Sequence, residues 1–204
     1  LVRRAEGPGV GYADERPEDR DSFGTLWVRS RPPEEGRHGR PLKSAHPLRQ
    51  RRAMDDMLCR VCARPPADPG GPYLFLTQGA RGPVREGERT ASPPVCVPCA
   101  AIAVRWRRAS RKGRWAAAWA RFAPAWGVYG TVHHPAGPRP VPGLAMRLVA
   151  YDSVLAPLTV ARGAVVELQR VVPADLEREW AALGRDRLGE EFARVAAERA
   201  AVRA

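Results

Sequence analysis

Long apolar segments are missing from this chain of 204 residues. No run of 18 apolar residues occurs, so the sequence predicts no transmembrane helix and no membrane partner. Residues 1–7 also lack the apolar stretch of a signal peptide, and we therefore expect a cytoplasmic protein. Gly and Pro are abundant instead, with 19 and 21 residues, which excludes a coiled coil or an all-helical bundle and predicts many loops.

Familiar catalytic and nucleotide-binding motifs are missing as well. The sequence contains no G-x-x-x-x-G-K-[ST] loop, no G-x-G-x-x-G fingerprint and no Ser-His-Asp order. We therefore assign no catalytic residue and expect a protein that is not an enzyme. An enzyme that uses residues within 114–172 remains an alternative, because the acidic residues after position 147 could supply an acid–base pair.

Acidic residues are absent from one long segment. Residues 100–147 contain nine basic side chains and no Asp or Glu, while the whole chain has a formal net charge of +12. The scarcity of lysine, which occurs only as Lys43 and Lys112, is explained by the codon bias of a high-GC genome, but that bias does not remove acids. A local basic block favours a polyanionic partner.

The four cysteines form two pairs, Cys59-x-x-Cys62 and Cys96-x-x-Cys99. A gap of two residues lets both sulfurs of a tight turn point at one ion, and two such turns complete a tetrahedral site. Without a secretory signal, the pattern favours four thiolate ligands for one structural Zn²⁺. Redox-active pairs and free thiols are the alternatives. With all four cysteines on a metal, no thiol is left to act as a nucleophile.

Regular elements are predicted around both cysteine pairs. Residues 49–58 contain helix formers and lead into the first pair, and residues 73–77 give the clearest strand signal. Pro98 suits the first turn of a helix that continues through Arg108. Cys99 would lie in that first turn, where the helix dipole favours a thiolate.

The order of knuckle, strand, loop, knuckle and helix resembles a treble-clef zinc finger. The segments Arg51-Arg52-Ala53-Met54 and Val95-Cys96-Val97-Pro98-Cys99 are similar to the treble-clef scaffold of HNH-type nucleases, and the resemblance covers residues 49–112. HNH enzymes carry an Asp/His-His-Ile/Val-x-Pro motif between the knuckles, but this chain has no His between Cys62 and Cys99. The resemblance therefore implies the zinc scaffold without the nuclease chemistry.

Two further segments, residues 46–52 and 93–100, resemble a family of uncharacterised actinobacterial proteins from high-GC genomes. This second resemblance implies no function.

The helix predicted after Cys99 carries a basic face. Its cations are Arg105, Arg107, Arg108, Arg111 and Lys112, with Arg114 just beyond. On a helical wheel they fill an arc of roughly 160° that also contains Val104. Such cations repel one another, and a polyanion would relieve the repulsion and release counterions. We expect this face to bind nucleic acid through phosphates. A solvated surface and an acidic protein partner are the alternatives.

The remaining segments complete an expected α+β architecture. Residues 1–48 predict an extended arm that lies on the folded body, residues 49–172 a zinc-binding core with β-hairpins, and residues 173–204 an amphipathic C-terminal helix. Within the core, residues 114–122 fit a helix or a strand, with a slight preference for a hairpin that turns at 123–125. The apolar stripe of the C-terminal helix is expected to dock on the body, on a protein partner or on a second copy. Its members are Leu176, Trp180, Leu183, Phe192, Val195 and Val202.

Overall fold

The computed structural model describes residues 1–4, 8–30, 46–78, 82–108 and 115–201, without the side chains of 105–108, 195–196 and 198–201. The described residues form helices and three β-sheets, which confirms the α+β class. The helices are α1 (Pro47–Asp55), α2 (Val97–Arg108), α3 (Leu176–Leu183) and α4 (Arg185–Ala201). The strands are β1 (Val2–Arg3), β2 (Val10–Gly11), β3 (Leu26–Trp27), β4 (Tyr73–Gln78), β5 (Arg89–Thr90), β6 (Trp115–Phe122), β7 (Ala125–Val132), β8 (Arg147–Ala150), β9 (Thr159–Glu167) and β10 (Gln169–Pro173).

A long antiparallel ribbon runs through the two larger sheets. Strands β6 and β7 form one side of this ribbon, and strands β9 and β10 form the other. Phe122 lies opposite Gln169 in one sheet and Ala125 lies opposite Val166 in the other. The Glu167 amide donates to the Pro124 carbonyl at 3.0 Å, so the pairing continues through the bend at residues 123–124.

The predicted hairpin over residues 114–132 is therefore wrong in its pairing. Residues 115–122 and 125–132 are both strands, but β6 pairs with β4 and β10, whereas β7 pairs with β8 and β9. Pro124 has no amide hydrogen to give to a tight turn, and the chain passes from one sheet to the next at this residue. Alternating apolar residues identify a strand without identifying its partner.

The three-stranded sheet β10-β6-β4 separates two hydrophobic cores because successive side chains of a strand point to opposite faces. The cysteine-side core contains Leu74 and Leu76 of β4 together with Ala117 and Trp119 of β6. The ribbon-side core, on the other face, includes Phe75. Within the described residues, the ribbon-side core also contains Trp27, Met54, Val84, Ala118, Ala120, Val128, Val132, Val149, Ala156, Ala161, Ala164, Val166 and Leu168.

The described part of the N-terminal arm lies on the five-stranded sheet, in which the strand order is β3-β9-β7-β8 and β5 also pairs with β9. Strand β3 pairs in parallel with β9, and Leu26 and Trp27 are buried. The Trp27 indole nitrogen donates to the Asp21 carboxylate at 2.9 Å, which satisfies the polar end of a buried ring. Residues 31–45 of the expected arm lie outside the described residues.

The predicted C-terminal helix is two helices. The Asp175 side chain caps α3 by accepting hydrogen bonds from the backbone amides of Glu177 and Arg178. The helix ends before Gly184, whose positive φ of 78° suits glycine. Gly189 lies within α4. Val195 and Val202, two members of the predicted apolar stripe, have side chains outside the description. No helix among the described residues is long and apolar enough to cross a membrane.

Candidate metal centre

The first cysteine pair lies in a closed turn directly after α1. The Cys59 amide donates to the Arg64 carbonyl at 2.8 Å, and the Ala63 amide donates to the Cys59 carbonyl at 2.7 Å. Ala63 has a positive φ of 54°, which turns the chain back after Cys62 so that the Arg64 carbonyl reaches the Cys59 amide. The Arg49 guanidinium of α1 donates to the Val61 carbonyl at 3.2 Å and fixes the turn to the helix.

The second cysteine pair lies at the start of α2. Cys96 directly precedes the helix and Cys99 is in its first turn, as the sequence predicts. The Ala100 amide donates to the Cys96 carbonyl at 2.9 Å. The positive end of the helix dipole therefore lies beside the sulfurs and stabilises thiolates.

Backbone hydrogen bonds hold the two cysteine turns together. The Arg60 amide donates to the Pro94 carbonyl at 2.9 Å, and the Val95 amide donates to Leu74 of β4 at 2.8 Å. The Cys96 amide also donates to the Cys59 sulfur at 3.4 Å. The approach of the two turns is thus fixed by backbone pairing, and the sulfurs converge at one point.

The sulfur atoms of Cys59, Cys62, Cys96 and Cys99 form the cysteine cluster, in which all four lie within 4.8 Å of one another. The Cys62 and Cys96 sulfurs are 3.8 Å apart. A tetrahedral ion with metal–sulfur bonds of about 2.3 Å has sulfur–sulfur edges of about 3.8 Å. The cluster can therefore hold one metal ion with four protein ligands.

The protonation of the cluster also favours a cation. The pKa of the Cys59 thiol lies well below its ordinary value because neighbouring thiols, Cys62 first, donate hydrogen bonds to its sulfur. The pKa values of Cys96 and Cys99 are raised, chiefly through their hydrogen bonds to Cys59. The hydrogen bond to Cys59 raises the pKa of Cys62, but those from Cys96 and Cys99 lower it to about 7. Cys59 and Cys62 therefore ionise readily, whereas Cys96 and Cys99 resist ionisation. A bound cation reverses this, since it lets every sulfur ionise.

Two tryptophans attach the C-terminal helix α3 to the cysteine-side core. The Trp180 indole nitrogen donates to the Val97 carbonyl at the start of α2, at 3.1 Å. The Trp119 indole nitrogen donates to the Glu179 carboxylate at 2.9 Å. Leu176 and Trp180 pack against the cysteine-side core, so this part of the predicted apolar stripe docks on its own chain.

A cavity of about 260 Å³ opens beside the cysteine cluster. Its walls include Cys59, Cys96, Tyr73 and Trp119, together with prolines 65, 66, 72 and 94. Arg64 and Asp68 are the charged residues that line it.

The predicted nucleic-acid-binding residues are only partly described. Arg105, Arg107 and Arg108 lie in the last turns of α2, without described side chains, and Arg111, Lys112 and Arg114 lie outside the described residues. Val104, inside the predicted basic arc, is 6% exposed. Helix α2 is covered at this level because it lies between the β4–β6 sheet on one side and α3 and α4 on the other. The basic arc can therefore be a free surface only beyond residue 104.

Several residues of the site were not identified from the sequence. Arg49 contacts the first cysteine turn from α1, 12 residues before Val61, and Glu179 contacts Trp119 from α3, 60 residues along the chain. Gln50, buried on α1, accepts from the Ala164 amide at 2.8 Å and donates to the Ala164 carbonyl at 2.9 Å. Such contacts depend on tertiary pairing, and their local sequence carries no signal for them.

No family model matches the sequence, and comparisons with curated proteins and with solved structures give no match either. The cysteine cluster is thus the feature from which a function is best inferred.

Proposed function

We propose that the chain is a structural-zinc protein in which one Zn²⁺ is bound by Cys59, Cys62, Cys96 and Cys99. The observation that carries this proposal is the approach of all four sulfurs to within 4.8 Å. Four thiolates prefer Zn²⁺ among abundant divalent ions and leave no coordination position for water. The role of the ion is therefore to stabilise the cysteine-side core.

Metal analysis of the purified protein tests this proposal. We expect one zinc per chain, in a form that resists dialysis. Cys96→Ser is expected to lose the metal, whereas Ser92→Ala, a change four residues away in the same segment, is expected to retain it. Wild-type protein that folds normally without any bound metal would contradict the structural role.

We further propose that the centre is a treble-clef scaffold used without nuclease chemistry. The position of Cys99 in the first turn of α2 supports this resemblance. The strand pairing differs from that of a simple zinc knuckle, in which the strands form a local hairpin. Here β4 pairs with β6, which follows α2 in the chain. No His lies between Cys62 and Cys99, so no second metal would be held to activate water. Metal-dependent cleavage of plasmid or RNA by highly purified protein would refute this.

Nucleic acid is the proposed partner of the basic segment that begins at the end of α2. Its support is the absence of acidic residues between Arg89 and Tyr151, which gives the segment an uncompensated positive charge. Guanidinium groups would contact phosphates with little sequence preference, since that helix has no Asn or Gln to read a base edge.

A salt titration of binding tests the role of this segment. Replacing Arg107, Arg108 and Arg111 by Gln is expected to reduce the log–log salt slope by about 2.7 on duplex DNA if each contacts one phosphate. The matched control replaces three exposed arginines of α3 and α4, Arg178, Arg185 and Arg187, and should leave the slope near that of wild type. Equal slopes for all three proteins would assign the segment to another partner.

A further inference from the structure

Aromatic and arginine side chains gather where the ribbon bends between its sheets. Phe122, at the end of β6, remains 47% exposed. The guanidinium carbons of Arg170 and Arg121 lie 5.3 Å and 5.9 Å from its ring centroid. Trp126 follows Phe122 by four residues, and its ring is half-buried. The guanidinium carbon of Arg89 lies 4.1 Å from the centroid of this ring. These five residues are the bend patch.

The backbone holds the bend patch in place from both sides of the ribbon. Phe122 and Trp126 are separated by four residues and so lie at most about 14 Å apart along the chain. Strand β5, which carries Arg89, pairs with the end of β9. The Leu168 amide donates to the Glu88 carbonyl at 2.9 Å, which ties the strand of Arg89 to the segment of Arg170. The patch is therefore supported by paired strands.

Charge on the bend patch is positive in balance. Arg121 donates to the Gly70 carbonyl, and neither it nor Arg170 forms an ion pair with a carboxylate of the described residues. Arg89 lies 3.3 Å from Glu167. The Glu86 carboxylate accepts from the backbone amides of Arg170 and Val171, both at 2.9 Å, which lower its pKa. The patch thus carries three guanidinium groups, and among the described residues the carboxylates bonded to it number two, Glu86 and Glu167.

We propose that the bend patch binds single-stranded nucleic acid, with bases stacked on its rings and phosphates held by its guanidinium groups. Exposed rings beside cations suit bases of any sequence, because every base has a stacking face. A duplex hides those faces and would use only the cations. The carboxylates of an acidic peptide would likewise pair with the cations and would not stack on the exposed Phe122 ring. The surface is separate from α2 and does not depend on the proposed function of that helix.

Fluorescence anisotropy on the full zinc-loaded chain tests the proposal. The probes are labelled 12-nucleotide strands of oligo-dT and oligo-U and a 12-base-pair duplex. Phe122→Leu removes the stacking face and keeps an apolar side chain, while Phe122→Tyr keeps the ring. We expect Phe122→Leu to weaken single-strand binding by roughly 5- to 30-fold, Phe122→Tyr to bind within about twofold of wild type, and duplex binding to stay unchanged. Comparison of oligo-dT with oligo-U tells which sugar is preferred.

A second variant keeps the proposal open to test if Phe122→Leu does not fold. The double change Arg121→Gln and Arg170→Gln is expected to reduce the single-strand salt slope by about 1.4. The matched control changes Arg178 and Arg185, two exposed arginines of α3 and α4, and should leave the slope unaltered.

Three results would overturn the assignment of the bend patch. The first is single-strand binding by Phe122→Leu equal to that of wild type. The second is an equal loss of duplex and single-strand affinity in that variant. The third is binding of a Glu-rich 12-residue peptide with the same dependence on Phe122, which would make the patch a protein-docking surface. Loss of binding in the α2 variant alone rejects the bend patch and keeps the proposed function. Loss of binding in the bend-patch variants alone keeps the bend patch and rejects nucleic-acid binding by the basic segment at the end of α2. If the wild-type protein binds no nucleic acid, both proposals are rejected.

Discussion

The three-stranded sheet faces two cores that are held together in different ways. On one face, Phe75 joins a continuous apolar core with the five-stranded sheet. On the other face, Leu74 and Leu76 meet the cysteine cluster and small residues of α2 such as Ala100. Alanine buries little surface, and four cysteine sulfurs converge in this core. The comparison indicates that hydrophobic burial stabilises the ribbon side, whereas the cysteine side would gain much of its stability from the proposed metal ion.

Removing one cysteine of the cluster gives the largest expected effect and tests most directly whether the two cores differ. Cys96→Ser should lose the metal, and with it folding free energy on the order of 10 kcal/mol. We expect α2 and α3 to lose protection from hydrogen exchange, while β7 and β9 keep more of theirs. Equal loss of protection throughout would show that the two cores unfold as one unit. A variant as protected as wild type but free of metal would show that burial alone holds the cysteine side.

Two neighbouring residues of β4 sharpen the comparison, because they point into different cores. Leu76 and Phe75 are both 0% exposed, and replacing either by Ala should cost roughly 2–5 kcal/mol in the free energy of unfolding. Only Leu76→Ala is expected to release zinc faster to a chelator, since its cavity lies on the side of the cysteine cluster. The measurements are denaturant unfolding and the rate of zinc transfer. Equal rates of zinc transfer for the two variants would mean that a cavity in either core affects the cysteine cluster to the same extent.

The docking of α3 has a smaller expected effect. Trp180→Ala should destabilise the protein by about 2–3 kcal/mol, through lost packing and the lost hydrogen bond to Val97. Trp180→Phe keeps most of the packing and should cost about 1 kcal/mol. Thermal melting of the zinc-loaded protein measures both. Melting at the wild-type temperature in both variants would show that α3 contributes nothing to the cysteine-side core.

The cap of α3 gives the smallest effect. Asp175→Ala removes the acceptor for two backbone amides and should cost about 1 kcal/mol. Asp175→Asn keeps an acceptor and should cost a few tenths. Denaturant unfolding at constant zinc separates the two variants. If Ala and Asn are equally stable, α3 is held by its packing and the cap is dispensable.

The cysteine cluster was predictable because its information is local. A spacing of two residues sets the turn around Cys59 and Cys62, and Pro98 marks the helix start that places Cys99 beside them. Strands β4 and β7 were predictable for the same reason, since their apolar patterns are visible within a segment, whereas residues 114–122 fitted a helix or a strand. The partners of the strands were not predictable, and Phe122 pairs across 47 residues with Gln169.

The surfaces around the cluster were harder to predict. The helical wheel of α2 assumed one buried side, but Ile102 and Val104 are both buried because the helix has neighbours on opposite sides. The bend patch gives no signal at all in the sequence, since Arg89, Phe122 and Arg170 come from three separate segments. Such sites exist only after the strands have paired.

The shared ribbon also limits how this protein can be taken apart or recombined. Residues 115–132 and 159–173 each supply strands to both larger sheets. A cut within either segment therefore separates strands on which both cores depend. The cysteine turns therefore cannot be transferred to another protein as an independent cassette, and neither core can be expressed as a separate fragment. Insertions are best accommodated at the exposed turn of residues 134–136, which joins β7 to β8 outside the ribbon.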